Sequence, residues 1–164
     1  MIALDISPTR LAIAKYNATI YGVADRIDFI LCDYISFAKS FLTLPESRRG
    51  QIDVVFLSPP WGGPSYISST TNSIGTEAET EEVQSTLYTL SSLTPIPGAE
   101  LFALSHKISR NVAMFLPRNT DVGEISALAP PGEKVEIEEE WMGSKLKALT
   151  CYYGGLARGQ GHLF

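Results

Sequence analysis

Short, almost continuously apolar runs alternate with amphipathic segments through the first half of the chain. The apolar runs cover residues 1–6, 27–32 and 52–57. Such runs are typical of parallel strands that are covered on both faces. Helical patterns span residues 8–21 and 34–42, with Ser7 placed to cap the first helix and Gly22 to end it. This order of strands and helices predicts right-handed βαβ units and a parallel sheet.

The second half of the chain continues the α/β pattern and closes it with a hairpin. Predicted in order are a helix over residues 98–109, a buried strand over 111–116 and a helix that ends near residue 128. Either Thr120 or Asp121 is placed to cap the last of these helices. Residues 134–141 and 145–153 have the pattern of two antiparallel strands joined at residues 142–144.

The segment between these halves, residues 67–97, differs in composition. It holds a run of small polar residues at 68–73 and a cluster of glutamates. Because such a segment buries little apolar area, the sequence predicts a flexible surface insertion. Residues 81–93 within it have the pattern of a short helix.

Length and composition are those of one ordinary globular domain. The chain has 164 residues and a net charge of −5, and no apolar run is long enough for a membrane span. The acidic balance argues against broad binding to an RNA backbone, but not against recognition of one compact cationic nucleotide. Cys32 and Cys151 lack metal or redox spacing and are interpreted as reduced thiols of an intracellular protein. With only two histidines, the sequence predicts no metal site.

The third apolar run ends in a loop of uncommon composition, Ser58-Pro59-Pro60-Trp61-Gly62. Two prolines end strand pairing and hold the backbone extended, and the glycine permits a sharp turn close to a ligand. In open α/β sheets, ligands bind at the carboxyl ends of strands, where this loop is expected. The alternative interpretation is that the prolines merely end the strand and the tryptophan fills the core.

Residues 56–64 in full, FLSPPWGGP, resemble the catalytic loop of amino-methyltransferases, most closely that of the trimethylguanosine synthases. A second segment similar to that family, FLPRN, stands at residues 115–119. The resemblance covers about residues 2–66 and 96–154. It implies a Rossmann-like class I methyltransferase fold, which is an α/β fold with a mostly parallel sheet and a carboxyl-terminal antiparallel hairpin.

The resemblance also implies an activity and a cellular setting. The enzymes of this family use S-adenosylmethionine to methylate the exocyclic N2 of the 7-methylguanosine cap on small nuclear and nucleolar RNAs. The expected partner is therefore a capped small RNA, without a membrane or a metal. The expected location is the nucleus and nucleolus, with the cytoplasm as a further compartment.

The residue types of the loop suit methyl transfer to an aromatic amine, whose lone pair is delocalised into the ring. The Ser58 hydroxyl and the backbone carbonyls around Ser58 and Pro59 can accept its N–H groups and free that lone pair. A fixed near-attack geometry is worth roughly 7–11 kcal/mol of the barrier. Trp61 offers a face for stacking, and a 7-methylated guanine adds cation–π attraction. We therefore predict Ser58, Pro59, Pro60 and Trp61 as the catalytic residues.

Acidic residues follow the first two predicted strands, at positions 5 and 33. An acid just past a strand typically accepts hydrogen bonds from ribose hydroxyls, although each acid alone is more often a helix cap or a loop residue. By resemblance, Asp5 binds the ribose of S-adenosylmethionine and Asp33 its adenine amine. The full set that the resemblance assigns to the cofactor is Asp5, Ile6, Cys32, Asp33, Tyr34 and Ser58.

Arg118 and Asn119 follow the fourth predicted strand and are expected on the same rim as the proline loop. Either they contact the guanine or its phosphates, for which the arginine fork is suited, or they are a surface arginine and a cap. The predicted substrate-binding residues are Trp61, Gly62, Arg118 and Asn119. Trp141, in the hairpin, is expected to pack rather than to contact a ligand.

One element of the resembled family does not precede Met1. A class I methyltransferase begins with a strand and a Gly-rich turn that holds the methionine end of the cofactor. We therefore expect a truncated domain in which the strand between those of Asp5 and Ser58 is missing. Such a chain is expected to fold poorly or with an exposed sheet edge, and to show little or no methyl transfer by itself. The alternatives are a non-catalytic remnant that binds capped RNA or a protein partner, and an amino-methyltransferase with another substrate.

Overall fold

The computed structural model describes residues 1–61 and 87–159 of the chain. The protein forms two compact units, Met1–Gln51 and Ile52–Phe164, and each has its own sheet in the described part. None of the helices described is long and apolar enough to cross a membrane.

The first unit is a βαβα segment. Its elements are β1 (Ile2–Asp5), α1 (Pro8–Ile20), β2 (Asp28–Leu31) and α2 (Tyr34–Thr43). β1 and β2 pair in parallel along their whole lengths, so their carboxyl ends lie side by side. The predicted helix signals are confirmed: Ser7 Oγ accepts a hydrogen bond from the Arg10 amide at 3.3 Å, and Gly22 follows α1 with φ of +68°.

The sheet of the first unit is more exposed than the sequence predicts. Ile2 in β1 is 46% exposed and Leu31 in β2 is 59% exposed. The expectation of buried strands is wrong here, because a sheet of two short strands has two edges and little covered area. Packing is instead concentrated in α2, where Ala38 is fully buried and the rings of Phe37 and Phe41 stack at 6.0 Å.

The second unit contains a four-stranded sheet. Its elements are β3 (Val55–Leu57), α3 (Gly98–His106), β4 (Val112–Pro117), α4 (Val122–Ala127), β5 (Glu136–Met142) and β6 (Lys145–Tyr152). The strand order is β3–β4–β6–β5, in which β3 and β4 are parallel and β6 is antiparallel to both neighbours. Asp121, one of the two predicted caps, accepts from the Gly123 amide at 2.7 Å at the start of α4. The predicted α/β fold, with parallel pairs followed by an antiparallel hairpin, is confirmed.

One face of this sheet forms the core of the second unit. Buried side chains on it include Val55, Leu57, Met114, Leu116 and Cys151. Tyr153 joins two helices to this face, since its ring lies 4.6 Å from that of Phe102 and its hydroxyl donates to the Ile125 carbonyl at 3.0 Å. Strand side chains alternate between faces, so Phe56 points to the opposite face and is 62% exposed. The expectation that this strand is covered on both faces is therefore wrong, and its predicted first half, residues 52–54, does not form a strand.

The carboxyl-terminal part of the predicted insertion is structured. Tyr88 forms a bridge with Thr120, and both Leu90 and Leu93 are only 3% exposed. Leu90–Ser92 is a single 3-10 turn instead of the end of an α-helix. The expectation of a flexible surface segment is thus wrong for residues 87–97, because two leucines among polar residues supply enough apolar area to join the core. Residues 67–86 of that predicted insertion lie outside the described residues.

Candidate active site

The carboxyl ends of β1 and β2 bring three of the predicted cofactor residues together. Asp5 ends β1 opposite Leu31 in β2, and the amide of Cys32 donates to the Asp5 carbonyl at 3.1 Å. Asp33 is the next residue along the chain and precedes α2. The structure therefore places Asp5, Cys32 and Asp33 at one edge of the first unit's sheet, as predicted.

Both acids also organise the backbone around them. Asp5 Oδ1 accepts from the Ser7 amide at 2.7 Å. Asp33 Oδ2 accepts from the amide and from the hydroxyl of Ser36, each at 2.8 Å, and so caps α2. The Ser36 bonds, the backbone bond first, lower the pKa of the Asp33 carboxyl and keep it ionised.

The capping bonds leave these carboxylates able to bind a nucleoside. An ionised carboxylate only accepts hydrogen bonds and has about four lone-pair sites, so it suits the donor groups of a ribose or an amine. Ile6, 72% exposed, follows Asp5 and offers apolar surface beside it, and Tyr34 begins α2 directly after Asp33. The donor and acceptor chemistry of this edge therefore fits the adenosine end of S-adenosylmethionine.

The second unit presents the proline loop and the Arg118–Asn119 pair at one edge. β3 and β4 are parallel neighbours, so the residues that follow Leu57 and Pro117 leave the sheet on the same side. In the loop, Ser58 and Pro60 are exposed, Pro59 is buried and Trp61 is half-buried. The predicted common rim is confirmed by this pairing, whereas Gly62 lies outside the described residues.

Trp61 has an aromatic neighbour that sequence reasoning missed. The centroid of its ring lies 6.4 Å from that of Phe115 in β4, and the two planes are inclined by 44°. Phe115 belongs to the FLPRN segment, and its contact with Trp61 joins two residues that are far apart in the sequence. Parallel pairing of the third and fourth strands was the one signal from which it could have been found.

Arg118 extends along the edge of the sheet towards β6. It is exposed, and its Nη1 atom donates to the carbonyl of Leu146 at 3.4 Å. Leu146 lies between Lys145 and Lys147 in the sequence, so basic residues gather at this end of the hairpin in a chain of net charge −5. Asn119 is half-buried, and its backbone carbonyl accepts from the Tyr88 amide at 2.8 Å.

The outer strand of the hairpin is acidic. Thr150 Oγ1 donates to Glu140 at 2.6 Å, and the Tyr152 hydroxyl donates to Glu138 at 2.7 Å. The bond to Glu138 is the main reason that the pKa of Tyr152 is raised to about 12, so this phenol stays neutral. Trp141 is 57% exposed and its Nε1 donates to Glu139 at 3.0 Å, so the expectation that it packs into the protein is wrong.

Neither cysteine has the environment of a catalytic nucleophile. Cys151 is fully buried, and burial raises the pKa of its thiol to about 12. The Cys32 thiol donates to the carbonyl of Asp33 at 3.3 Å. Within residues 1–61 and 87–159, no group of three or more potential metal ligands lies together.

A comparison with protein families assigns the chain to one of them. The profile described as RNA cap guanine-N2 methyltransferase matches residues 1–156. The chain belongs to this family. The methyl donor that an RNA cap guanine-N2 methyltransferase implies is S-adenosylmethionine, and the predicted resemblance is confirmed at the level of the family.

Two curated relatives extend the comparison. The trimethylguanosine synthase of Schizosaccharomyces pombe is 36% identical over 162 residues, which cover 96% of this chain and 59% of that protein. The trimethylguanosine synthase of Saccharomyces cerevisiae is 28% identical over 156 residues, which cover 92% of this chain and 43% of that protein. The chain thus spans about half the length of the curated relatives that it matches.

Proposed function

We propose that this chain takes part in S-adenosylmethionine-dependent methylation of the exocyclic N2 of a 7-methylguanosine cap. The substrates would be small nuclear and nucleolar RNAs, and the location the nucleus and nucleolus. The observation that carries the proposal is the edge of the second unit, where a half-buried tryptophan, an exposed serine and an exposed arginine follow two parallel neighbouring strands. Membership of the RNA cap guanine-N2 methyltransferase family supports the same reaction.

Ser58 and the loop carbonyls are proposed to bind the guanine amine. Ser58 is exposed, so its hydroxyl can accept an N–H of the exocyclic amine from solvent-accessible space. Pro59 is buried, and both prolines restrict the backbone, so the carbonyls of the loop keep fixed directions. Acceptors that hold the amine in this way free its lone pair, which can then attack a methyl group.

Trp61 is proposed to stack on the guanine and to prefer the 7-methylated form. Methylation at N7 makes the base cationic, and tryptophan has the strongest cation–π attraction of the aromatic side chains. Arg118, exposed on the same rim, is proposed to bind cap phosphates through its guanidinium fork. Trp61 would thus recognise the base, and Arg118 would recognise the negative charge of the triphosphate.

Asp5 and Asp33 are proposed to bind the nucleoside of the cofactor. When bound, S-adenosylmethionine supplies the electrophilic methyl group. The two carboxylates hold their places through Ser7 and Ser36, so they are oriented before a ligand arrives. Ile6 follows Asp5 in the sequence, and Cys32 and Tyr34 flank Asp33. These three residues complete the proposed adenosine site.

The cofactor half of the proposal is tested by calorimetry with S-adenosylhomocysteine. The described residues hold no glycine-rich turn directly after β1 or β2, so the protein to use is a chimera in which this chain replaces the matching part of the S. pombe relative. We expect the chimera to bind, and Asp5→Ala to lose about 1.5–3 kcal/mol per ribose hydrogen bond removed. Binding of 7-methyl-GTP by Asp5→Ala should be almost unchanged.

Two outcomes would count against this half of the proposal. If the folded chimera binds 7-methyl-GTP but no S-adenosylhomocysteine, the non-catalytic alternative is favoured. If Asp5→Ala binds S-adenosylhomocysteine as tightly as the parent, Asp5 is a loop acid that only holds the Ser7 amide.

A further inference from the structure

Phe115 occupies an exceptional position in β4. Every other residue of this strand, from Val112 to Pro117, is buried, and Phe115 alone keeps appreciable exposure. Its ring contacts that of Trp61, at 6.4 Å between centroids and 44° between planes. Separations of about 4.5–7 Å with tilted planes are those at which aromatic pairs attract each other.

Phe115 is held in place by the sheet. β4 lies between β3 and β6, and Phe115 stands directly opposite Thr150 in the antiparallel pair. The Thr150 side chain is in turn fixed by its 2.6 Å hydrogen bond to Glu140. Trp61, by contrast, lies outside the sheet, on irregular backbone after β3.

We propose that Phe115 is a positioning residue that fixes the plane of the Trp61 indole for stacking on the cap guanine. This inference rests on the proposed function and names a residue through which the stacking platform acts. A platform that is already oriented loses less side-chain freedom when the base binds, so affinity rises without a direct contact. Phe115 acts on the base only through Trp61.

The chain offers a matched control for this role. Phe56 stands opposite Ala113 in the parallel pair, so Phe56 and Phe115 project from the same face of the sheet. Phe56 is 62% exposed and has no ring contact in the described structure. A phenylalanine on the same face but outside the pair with Trp61 should therefore not affect the indole.

The experiment measures the exposure and mobility of the Trp61 indole and the affinity for 7-methyl-GTP in the same protein. The chain has two tryptophans, so Trp141→Phe leaves Trp61 as the single indole. In this background we compare Phe115→Leu, Phe115→Tyr and Phe56→Leu by acrylamide quenching, by fluorescence anisotropy and by titration with 7-methyl-GTP. Circular dichroism and the melting temperature report folding in each variant.

We expect Phe115→Leu to raise quenching and lower the anisotropy of Trp61 and to weaken 7-methyl-GTP binding roughly two- to tenfold, the size typical of an aromatic pair. Phe115→Tyr should restore both properties, and Phe56→Leu should leave both unchanged. The inference is overturned if Phe115→Leu leaves the quenching and the affinity as in the parent, or if Phe56→Leu raises the quenching and weakens the affinity as much as Phe115→Leu does. If no protein binds 7-methyl-GTP, the proposed function fails, and an unchanged indole in Phe115→Leu still overturns the positioning role separately.

Discussion

The two tryptophans show how the surroundings of one residue type decide its role. Trp61 is half-buried, follows a short parallel strand and touches Phe115. Trp141 is 57% exposed and donates to the neighbouring Glu139 carboxylate within the hairpin. A half-buried indole beside a second aromatic ring is suited to stacking a base, whereas the exposed indole of Trp141 is bonded to a carboxylate of its own strand.

Replacement of Trp61 by alanine should therefore weaken binding of 7-methyl-GTP by about 1–3 kcal/mol, as for other stacks of a base on an aromatic ring. Because Trp61→Ala also removes the cation–π attraction, the preference for 7-methyl-GTP over GTP should shrink. Isothermal titration with the two nucleotides measures both effects. Trp141→Ala is the matched control and should change neither affinity; equal losses in the two variants would contradict a specific role for Trp61.

Asp33 has two roles at one position, as a helix cap and as a proposed cofactor ligand. Alanine at this position should lower the free energy of unfolding by about 0.5–2 kcal/mol at neutral pH, the usual cost of a lost cap. The folded-state pKa of Asp33 is lowered below its ordinary value of 3.8. Its stabilising effect is thus present above the unfolded pKa and disappears as the pH falls through the folded value. Denaturation of the parent and of Asp33→Ala should accordingly converge in strong acid.

Serine at the same position separates the two roles. Asp33→Ser keeps an acceptor for the Ser36 amide, so stability should stay near that of the parent at neutral pH. It removes the carboxylate, so affinity for S-adenosylhomocysteine in the chimera should fall as it does in Asp33→Ala. Full cofactor affinity in the serine variant would show that Asp33 is only a cap.

At the scale of elements, the junction at the start of the second sheet depends on one glycine. Gly154 has φ of +66°, and a Cβ added there would collide with the carbonyl oxygen of Arg110. Next to it, Asn111 accepts from the Gly155 amide at 2.8 Å and donates to the Asp53 carbonyl at 3.0 Å. These bonds tie together the chain before β3, the start of β4 and the segment after β6.

Gly154→Ala should therefore destabilise the protein more than alanine at a glycine with the same backbone but open space. Gly143, in the hairpin turn, has φ of +60° and nothing within 4 Å of an added Cβ. Gly143→Ala should cost only the left-handed conformation, about 1–2 kcal/mol. Gly154→Ala should cost about 1–3 kcal/mol more from overpacking. Urea denaturation of the two variants gives the difference, and equal losses would show that the junction relaxes around the extra carbon.

The elements that the sequence predicts best are those with local signals. Ser7 before Pro8, Asp33 before α2 and Asp121 before α4 all cap helices as expected, because a cap involves only residues two or three apart. Features that depend on distant neighbours were predicted less well. The exposure of Phe56 and the burial of Leu90 follow from what covers them.

The features of the candidate site also divide into those with local signals and those that depend on distant neighbours. The loop chemistry at Ser58 and the acid at position 5 could be recognised from residue type and from the ends of strands. The contact of Phe115 with Trp61 and the reach of Arg118 to Leu146 join different strands of the sheet. No periodicity within one segment encodes such contacts, so only the pairing of the strands reveals them.

At the scale of the whole molecule, the chain is an acidic member of the RNA cap guanine-N2 methyltransferase family. Its net charge of −5 disfavours general binding to an RNA backbone, so recognition should depend on the cationic base and the few basic residues near Arg118. One functional domain over residues 1–164 stays a prediction, as do the nuclear location and the identity of the RNAs.

The most direct measurement is radiolabelled methyl transfer from S-adenosylmethionine to 7-methyl-GTP by the chimera with the S. pombe relative, followed by analysis of the methylated position. The proposed reaction predicts label on the exocyclic N2, with 7-methyl-GTP strongly preferred over GTP and with transfer greatly reduced in Trp61→Ala. A chimera that binds both S-adenosylhomocysteine and 7-methyl-GTP but transfers no label, or labels another position, would contradict it.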